Sequence, residues 1–305
     1  MRFLVVGPGA MGCLFAAGLK KSGHDVILLD YKPERAAQIN AQGIIVGGVS
    51  GEYTVDVPVM TGKVPEDPDF ALICVKSYST RKAARDAGAW LSPKTVVVTL
   101  QNGIGNLEAL AEVFGAGRVM GGVTSEGATL LGPGKIRHAG RGETVVGPGK
   151  DGGPAQRLVS AFRKAGFQAR TVDNVDELLW GKLIVNVGIN ALTAVTRLKN
   201  GRLIEHEGSL QIMESAVREA MAVAEAKNIR LPYPDPIARV KEVCKATADN
   251  IASMLQDVLR GRMTEIDAIN GAIVRHGKEL DIPTPVNATL QCLVQTIQET
   301  YGEQA

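Results

Sequence analysis

The sequence predicts an α/β fold, with a doubly wound, mostly parallel sheet in the N-terminal half and an all-α domain after it. Three observations carry that prediction. Short apolar runs alternate with helical patterns as far as Val172, a glycine-rich turn joins the first run to the first helix, and strand signals nearly vanish from Asp176 onward. Strand–helix alternation calls for parallel strands with helices on both faces. A chain of 305 residues is too long for one small core. The boundary is placed near residue 174, giving domains 1–174 and 175–305.

Taken in order, residues 2–6 form a short apolar run with β-branched side chains ending at Gly7, as expected of a strand buried on both faces. Residues 10–21 read as a helix closed by Gly23, residues 25–30 as the next strand, and residues 33–42 as a helix with Pro33 at its start. Strands at 70–75 and 95–100 flank a helical stretch at 78–90. The glycine-rich region 115–154 contains two short alternating pieces, 135–138 and 143–146, expected as antiparallel strands that extend the same sheet. A helix at 154–165 and a strand at 168–172 complete this half. No internal repeat or low-complexity tract is visible.

Composition narrows the function. Hydrophobic residues at 45% and charged residues at 22% are ordinary for a soluble globular protein. A formal net charge of +2, with bases interspersed among acids, and only 4% aromatics leave no basic stripe or stacking platform, so no nucleic-acid partner is expected. Cys13, Cys74, Cys244 and Cys292 have no paired spacing, which argues against a disulfide framework or a zinc site. The four histidines likewise show no metal spacing and read as structural or surface residues. The apolar run after Arg2 is far too short for a signal peptide or membrane span. A cytoplasmic protein with no membrane partner is expected, and the helical tail leaves room for a homodimer interface.

Gly7-Pro8-Gly9-Ala10-Met11-Gly12 is a GxGxxG string. Alone it is weak, since glycines are common in turns. Here it follows a strand, opens a helix and precedes a second strand ending in Asp30, which is the context of a Rossmann-type dinucleotide site. Gly7 makes the tight turn, Gly9 lets the backbone approach a pyrophosphate, and Gly12 lets helix and strand pack closely. Free N–H groups and the helix dipole then face the anion. Asp30 lies 23 residues after Gly7, near the position where an acid accepts hydrogen bonds from the ribose diol of NAD. On Asp30 alone the cofactor is NAD(H). Lys32 and Arg35 follow closely and would pair with the 2′-phosphate of NADP(H) if Asp30 turned away; otherwise they are a solvated helix face.

In the helical half, Lys182, Asn186 and Asn190 are spaced i, i+4, i+8 and line one face of a very apolar helix. Buried amides and an ammonium need partners. A polar substrate would supply them, and so would a structural hydrogen-bond network. Asn250 and Ser253, three apart, are expected on one face of a second helix. On a continuous helix Glu265 would lie ~18 Å beyond Ser253, too far for both to touch one small metabolite. The stretch 259–264, with Gly261 inside it and Thr264 as an N-cap, offers a break. Glu265 also reads simply as an acid favoured in a helix's first turn.

These residues resemble the 2-dehydropantoate 2-reductase (ketopantoate reductase) family over essentially the whole chain. The resemblance rests on the glycine loop, Val75-Lys76, Gln101-Asn102-Gly103-Ile104-Gly105 and Trp180-Gly181-Lys182-Leu183 leading to Asn186, Asn190 and Asn200. It continues through the block from Ala246 to Asp257 and that from Thr264 to Gly271. It implies NADPH-dependent reduction of the ketone of 2-dehydropantoate to (R)-pantoate in pantothenate and coenzyme A biosynthesis. By the same resemblance Lys182 is the proton donor, and Glu265 holds the substrate hydroxyl and orders the cofactor side. Asn250, Ser253, Asn186, Asn190 and Asn200 bind substrate, and Asn102 sits between nicotinamide and substrate. Lys76 and Gly127 match positions near the cofactor. One position departs: NADPH-using members commonly carry arginine where this chain has Tyr31.

Two other readings stand beside it. One is a reductase of another small 2-oxo or 3-hydroxy acid on the same fold. The other is a non-catalytic dinucleotide sensor, against which Lys182, Asn102 and Glu265 argue, because a sensor needs no proton donor.

Overall fold

The computed structural model describes residues 1–64, 67–148 and 153–303. The chain forms two compact units, one of Met1–Gln101 and Asn106–Val175, the other of Asn102–Gly105 and Asp176–Ala305. The first is a Rossmann-type α/β unit and the second is helical.

The first unit contains β1 (Arg2–Val6), α1 (Ala10–Lys21), β2 (Asp25–Leu29), α2 (Pro33–Gln42), β3 (Ile44–Gly48), β4 (Tyr53–Val55), β5 (Val59–Met60), β6 (Phe70–Ile73) and α3 (Thr80–Gly88). It continues with β7 (Val96–Thr99), α4 (Asn106–Phe114), β8 (Val119–Thr124), β9 (Gly127–Gly132), β10 (Lys135–Gly140), β11 (Thr144–Gly147), α5 (Pro154–Lys164) and β12 (Ala169–Thr171). The main sheet has the order β12-β11-β8-β7-β6-β1-β2-β5. It is parallel from β8 to β5, and β11 joins antiparallel to β8. Its central strands are buried from Phe3 to Val6 in β1 and throughout β6, which is why they read as continuous apolar runs. The order reverses at β1, whose neighbours are β2 and β6. That switch point is where open α/β sheets leave a crevice at the carboxyl ends of their strands.

The region after β8 corrects one expectation. Residues 144–147 extend the main sheet as β11, but residues 135–140 do not. They form β10 of a second sheet, ordered β4-β3-β10-β9. The cause is α1, whose residues Gly12 to Leu19 are all buried. One helix face cannot bury them all, so α1 packs on the main sheet and also on β9, β10 and β3. Ile44, Val46 and Ile136 complete that core beside Leu14 and Phe15. Residues 149–152 of the same region lie outside the described residues. Strands β3 to β5 and helix α4 were not anticipated from sequence, and the helix expected at 78–90 opens as a 3₁₀ turn, Ser77–Ser79, before α3.

The helical unit is built on α6 (Asp176–Thr196), with α7 (Glu207–Ala226), α8 (Pro236–Ala246), α9 (Ser253–Val258), α10 (Asn270–Glu279) and α11 (Pro285–Glu299), and 3₁₀ turns at Asn200–Ile204 and Ile266–Ala268. By length and composition α6 would suffice to cross a bilayer. Here its apolar residues lie in the core of the helical unit, against α7, α8, α9 and α11.

Candidate functional site

The glycine turn is fixed by sterics. Gly7 has φ +102°, and a Cβ there would lie 2.8 Å from Val75 Cγ1, so the turns after β1 and β6 touch at the switch point. A Cβ on Gly12 would lie 2.0 Å from the Gly7 carbonyl oxygen. Gly9 differs. A Cβ there would meet only the Cys74 carbonyl, at 3.9 Å, so chain packing gives no reason for glycine. A ligand pressed onto the backbone does. Gly9 caps α1 without any side-chain hydrogen bond, leaving the first N–H groups of a 12-residue helix to an anion. Pro8, Ala10 and Met11 complete this loop. The arrangement fits a dinucleotide pyrophosphate.

Asp30 follows β2 at the same edge of the sheet. Its side chain has no exposure, and Arg35 grips it bidentately, Nε donating to Oδ2 and Nη2 to Oδ1, both at 2.5 Å. The Lys32 backbone N–H donates to Oδ1 at 3.1 Å. Each Asp30 oxygen thus already accepts from its own chain. Its hydrogen bonds to Asp30 hold the Arg35 guanidinium still more firmly charged. Tyr31 stands 72% exposed beside the pair, with the Lys32 ammonium 5.6 Å and the Arg35 guanidinium 5.5 Å from its ring centroid. The surface at this edge is thus aromatic and cationic.

Lys76 immediately precedes the 3₁₀ turn after β6 and is half-buried. Gln101, absent from the sequence expectation as a functional residue, staples this loop to the end of β7. Its Nε2 donates to the Val75 carbonyl at 2.7 Å and to Thr80 Oγ1 at 2.8 Å, and Thr80 in turn donates to Asn106 Oδ1. Gly127 opens β9. The preceding Glu126 is buried and hydrogen-bonds His138 at 2.6 Å, tying β9 to β10, so His138 is structural.

Burial raises the thiols of Cys13 and Cys74 to about 12 and that of Cys244 to about 11, so they remain neutral core groups. Among the described residues no group of three or more His, Cys, Asp or Glu side chains is arranged to hold a metal ion.

In the helical unit Lys182, Asn186 and Asn190 share a face of α6 as the spacing requires. Burial lowers the Lys182 ammonium to about 8, opposed by the nearby Glu265 carboxylate, which raises it. Glu265 is itself buried at 7% exposure. On α6 and the 3₁₀ turn that follows it, two buried polar atoms have no hydrogen-bond partner among the described residues, Asn186 Nδ2 and Asn200 Oδ1. One is a donor and the other an acceptor, which a purely structural network would have satisfied. The other side of the Asn200 amide donates to Thr247 Oγ1 at 2.9 Å, and its backbone N–H to the Asn250 carbonyl at 3.1 Å.

Asn250 and Ser253 do not share a helix face. Asn250 lies in the loop after α8 and Ser253 is the first residue of α9, both exposed. Helix-period reasoning fails here because the Thr247 carbonyl accepts the Asn250 N–H in a turn. The break expected before Glu265 is present. Helix α9 ends at Val258, Gly261 takes φ +60°, and Thr264 Oγ1 accepts the Ile266 N–H at 3.2 Å. Asn102 enters through the four-residue segment that belongs to this unit. There the Ile104 N–H donates to the Ala268 carbonyl at 2.9 Å. Gly103, at φ +83°, is held so close to that carbonyl that a Cβ would lie 2.4 Å from its oxygen. The Asn102 loop is thereby docked on the turn that follows Glu265.

Known proteins share this chain's pattern throughout. The family described as ketopantoate reductase PanE/ApbA matches residues 3–151, and its C-terminal part matches residues 174–298. The 2-dehydropantoate 2-reductase of Halobacterium salinarum is 36% identical over 302 residues, covering 98% of this chain and 99% of that protein. That of Archaeoglobus fulgidus is 36% identical over 307 residues, with 97% and 98% covered. Among solved structures, a PanE/ApbA family ketopantoate reductase from Ralstonia eutropha JMP134 superposes with a TM-score of 0.91 at 35% identity, covering 99% of this chain and 100% of that one. A D-mandelate dehydrogenase with NADH and anilino(oxo)acetate gives a TM-score of 0.93 at 28% identity, with the same coverage.

Proposed function

The chain belongs to the ketopantoate reductase PanE/ApbA family of oxidoreductases, and from that premise we propose that it reduces 2-dehydropantoate to (R)-pantoate, the pantoate-forming step of pantothenate and coenzyme A biosynthesis. The Gly7–Gly12 turn would hold the reduced nicotinamide dinucleotide, which when bound would supply the hydride for the ketone carbon. The carbonyl oxygen takes its proton from Lys182. The observation that carries this reading is the half-buried Lys182, lowered to about 8 and facing a buried carboxylate. An ammonium with that pKa is charged at neutral pH, polarises the ketone and gives up its proton readily as charge builds on oxygen.

Glu265 keeps Lys182 protonated and accepts from the substrate hydroxyl. The unpartnered Asn186 Nδ2 donates to substrate oxygen, and Asn200 Oδ1 accepts a substrate O–H. Asn190, Asn250 and Ser253 complete the polar lining, with Ser253 at the carboxylate. Asn102 orients the substrate from the docked loop beside Glu265. For the cofactor we favour NADPH. With Asp30 gripped by Arg35, the groups left to meet the 2′-position are Arg35, Lys32 and Tyr31, a cationic set suited to phosphate. Lys76 and Gly127 line the same nucleotide site.

A second reading, reduction of a different 2-oxo acid, is favoured by the likeness to D-mandelate dehydrogenase. Initial rates on 2-dehydropantoate and on an aryl 2-oxo acid, each with NADPH and NADH, separate the two. Rapid turnover of 2-dehydropantoate that is lost in Lys182→Ala, with dinucleotide binding retained, is the expected result. Preference for the aryl acid would overturn the substrate, and full activity of K182A would overturn the mechanism.

A further inference from the structure

Asn270 is fully buried at the first position of α10. Its Nδ2 donates in two directions, to the Val187 carbonyl of α6 at 3.4 Å and to Asn287 Oδ1 of α11 at 3.0 Å. Asn287 Nδ2 passes the chain on to the Ala216 carbonyl and to Glu219 Oε2 at 2.7 Å on α7. Glu219 also accepts the Val286 and Asn287 N–H groups at the start of α11. Two linked amides, Asn270 and Asn287, thus tie four helices together. Yet Asn270 Oδ1 has no partner among the described residues. A buried amide with its oxygen unsatisfied is a poor choice for stability alone. Its use is register.

Val187 adjoins Asn186 and lies between it and Asn190 on the lysine-bearing helix. At the other end, Asn270 closes a run of turns that begins at Glu265. The Ala268 N–H donates to the Glu265 carbonyl and the Ile269 N–H to the Ile266 carbonyl. The near end of this run is pinned separately, where the Thr264 N–H donates to Gln298 Oε1 at 2.5 Å. We propose that Asn270 is a positioning residue that sets Glu265 against Lys182 by locking this run of turns onto α6 and α11. The proposal rests on the roles assigned above to Lys182 and Glu265.

The test is Asn270→Leu in the full chain, with the Lys182 side chain followed by NMR through a pH titration and its signal assigned by K182A. Glu265 is the charged group that raises Lys182, so loosening Glu265 lowers the midpoint. Its fall by about half a unit is expected, with kcat down roughly ten- to hundredfold from misplacement of the pair. Thermal stability should fall modestly, since Asn287 Oδ1 and the Val187 carbonyl lose their donor. An unchanged midpoint and kcat would overturn the proposal and leave Asn270 a packing residue. Should N270L not fold, Asn287→Ala, which withdraws the acceptor on α11, is read in the same way. The titration needs no substrate, so it decides the positioning role even if wild-type protein fails to reduce 2-dehydropantoate.

Discussion

Replacing Arg35 by alanine tests the cofactor assignment most directly. In the native chain the guanidinium makes two 2.5 Å bonds to a fully buried Asp30 and keeps 26% of its own side chain exposed. That exposed edge is what a 2′-phosphate would meet. A hydrogen bond to a charged group contributes about 1.5–3 kcal/mol, and each 1.4 kcal/mol is tenfold. Loss of Arg35 should therefore cut kcat/KM for NADPH by roughly ten- to hundredfold. The same change uncovers Asp30, whose freed oxygens repel phosphate and accept from a ribose diol, so NADH should hold or improve. The NADPH-to-NADH ratio is expected to fall by about two orders of magnitude. Folding stability should drop by about 1–3 kcal/mol, short of the cost of breaking a wholly buried pair because Arg35 is partly solvated. Initial rates with both dinucleotides, alongside dissociation constants measured without substrate, check this. A ratio unchanged within about twofold would show that Arg35 does not read the 2′-position, and a wild-type preference for NADH would refute the reasoning at its root.

The remaining predictions concern proton transfer and the phosphate turn. Lys182 must be protonated to act as an acid, so kcat for ketone reduction should fall as pH rises through about 8, and pantoate oxidation should rise over the same range. Glu265→Gln removes the charge that holds Lys182 up and should move both limbs to lower pH, as steady-state profiles will show. Gly9→Ala has room for its methyl and should melt like wild type while losing dinucleotide affinity measured by calorimetry. Gly12→Ala places a Cβ 2.0 Å from the Gly7 carbonyl and should lose both affinity and about 1–3 kcal/mol of stability in denaturant titrations.

The parts of the fold legible in the sequence are those whose signal is local. Strands β1, β6 and β7 announce themselves because a strand covered on both faces must be apolar throughout. Helices α1 and α2 do so because a glycine turn and Pro33 mark their starts. What stayed hidden is the second sheet. Strand β10 alternates, with Ile136 and His138 buried and Lys135 and Arg137 exposed, and any half-buried strand does the same. Its partner β3 lies some ninety residues upstream in sequence, and no period in 135–140 encodes that pairing. The deciding fact is that α1 carries more apolar surface than one sheet can cover.

The candidate site divides along the same line. The turn that fits a pyrophosphate works through backbone N–H groups, and backbone demands leave a mark in sequence because only glycine meets them. Lys182, Asn186 and Asn190 were legible for a related reason: polar residues at helical spacing in an apolar helix contradict their surroundings. Electrostatic partnership leaves no such mark. Asp30 reads as a free acid at the ribose position, and only the structure shows that Arg35, five residues on, occupies both its oxygens. The same holds for Asn270, an unremarkable amide in sequence that joins α6, α10 and α11 once folded. A residue's chemistry is written in its type, but its availability depends on what folds against it. Cofactor choice and the tuning of Lys182 both turn on availability, so the two measurements that matter most are those on Arg35 and Asn270.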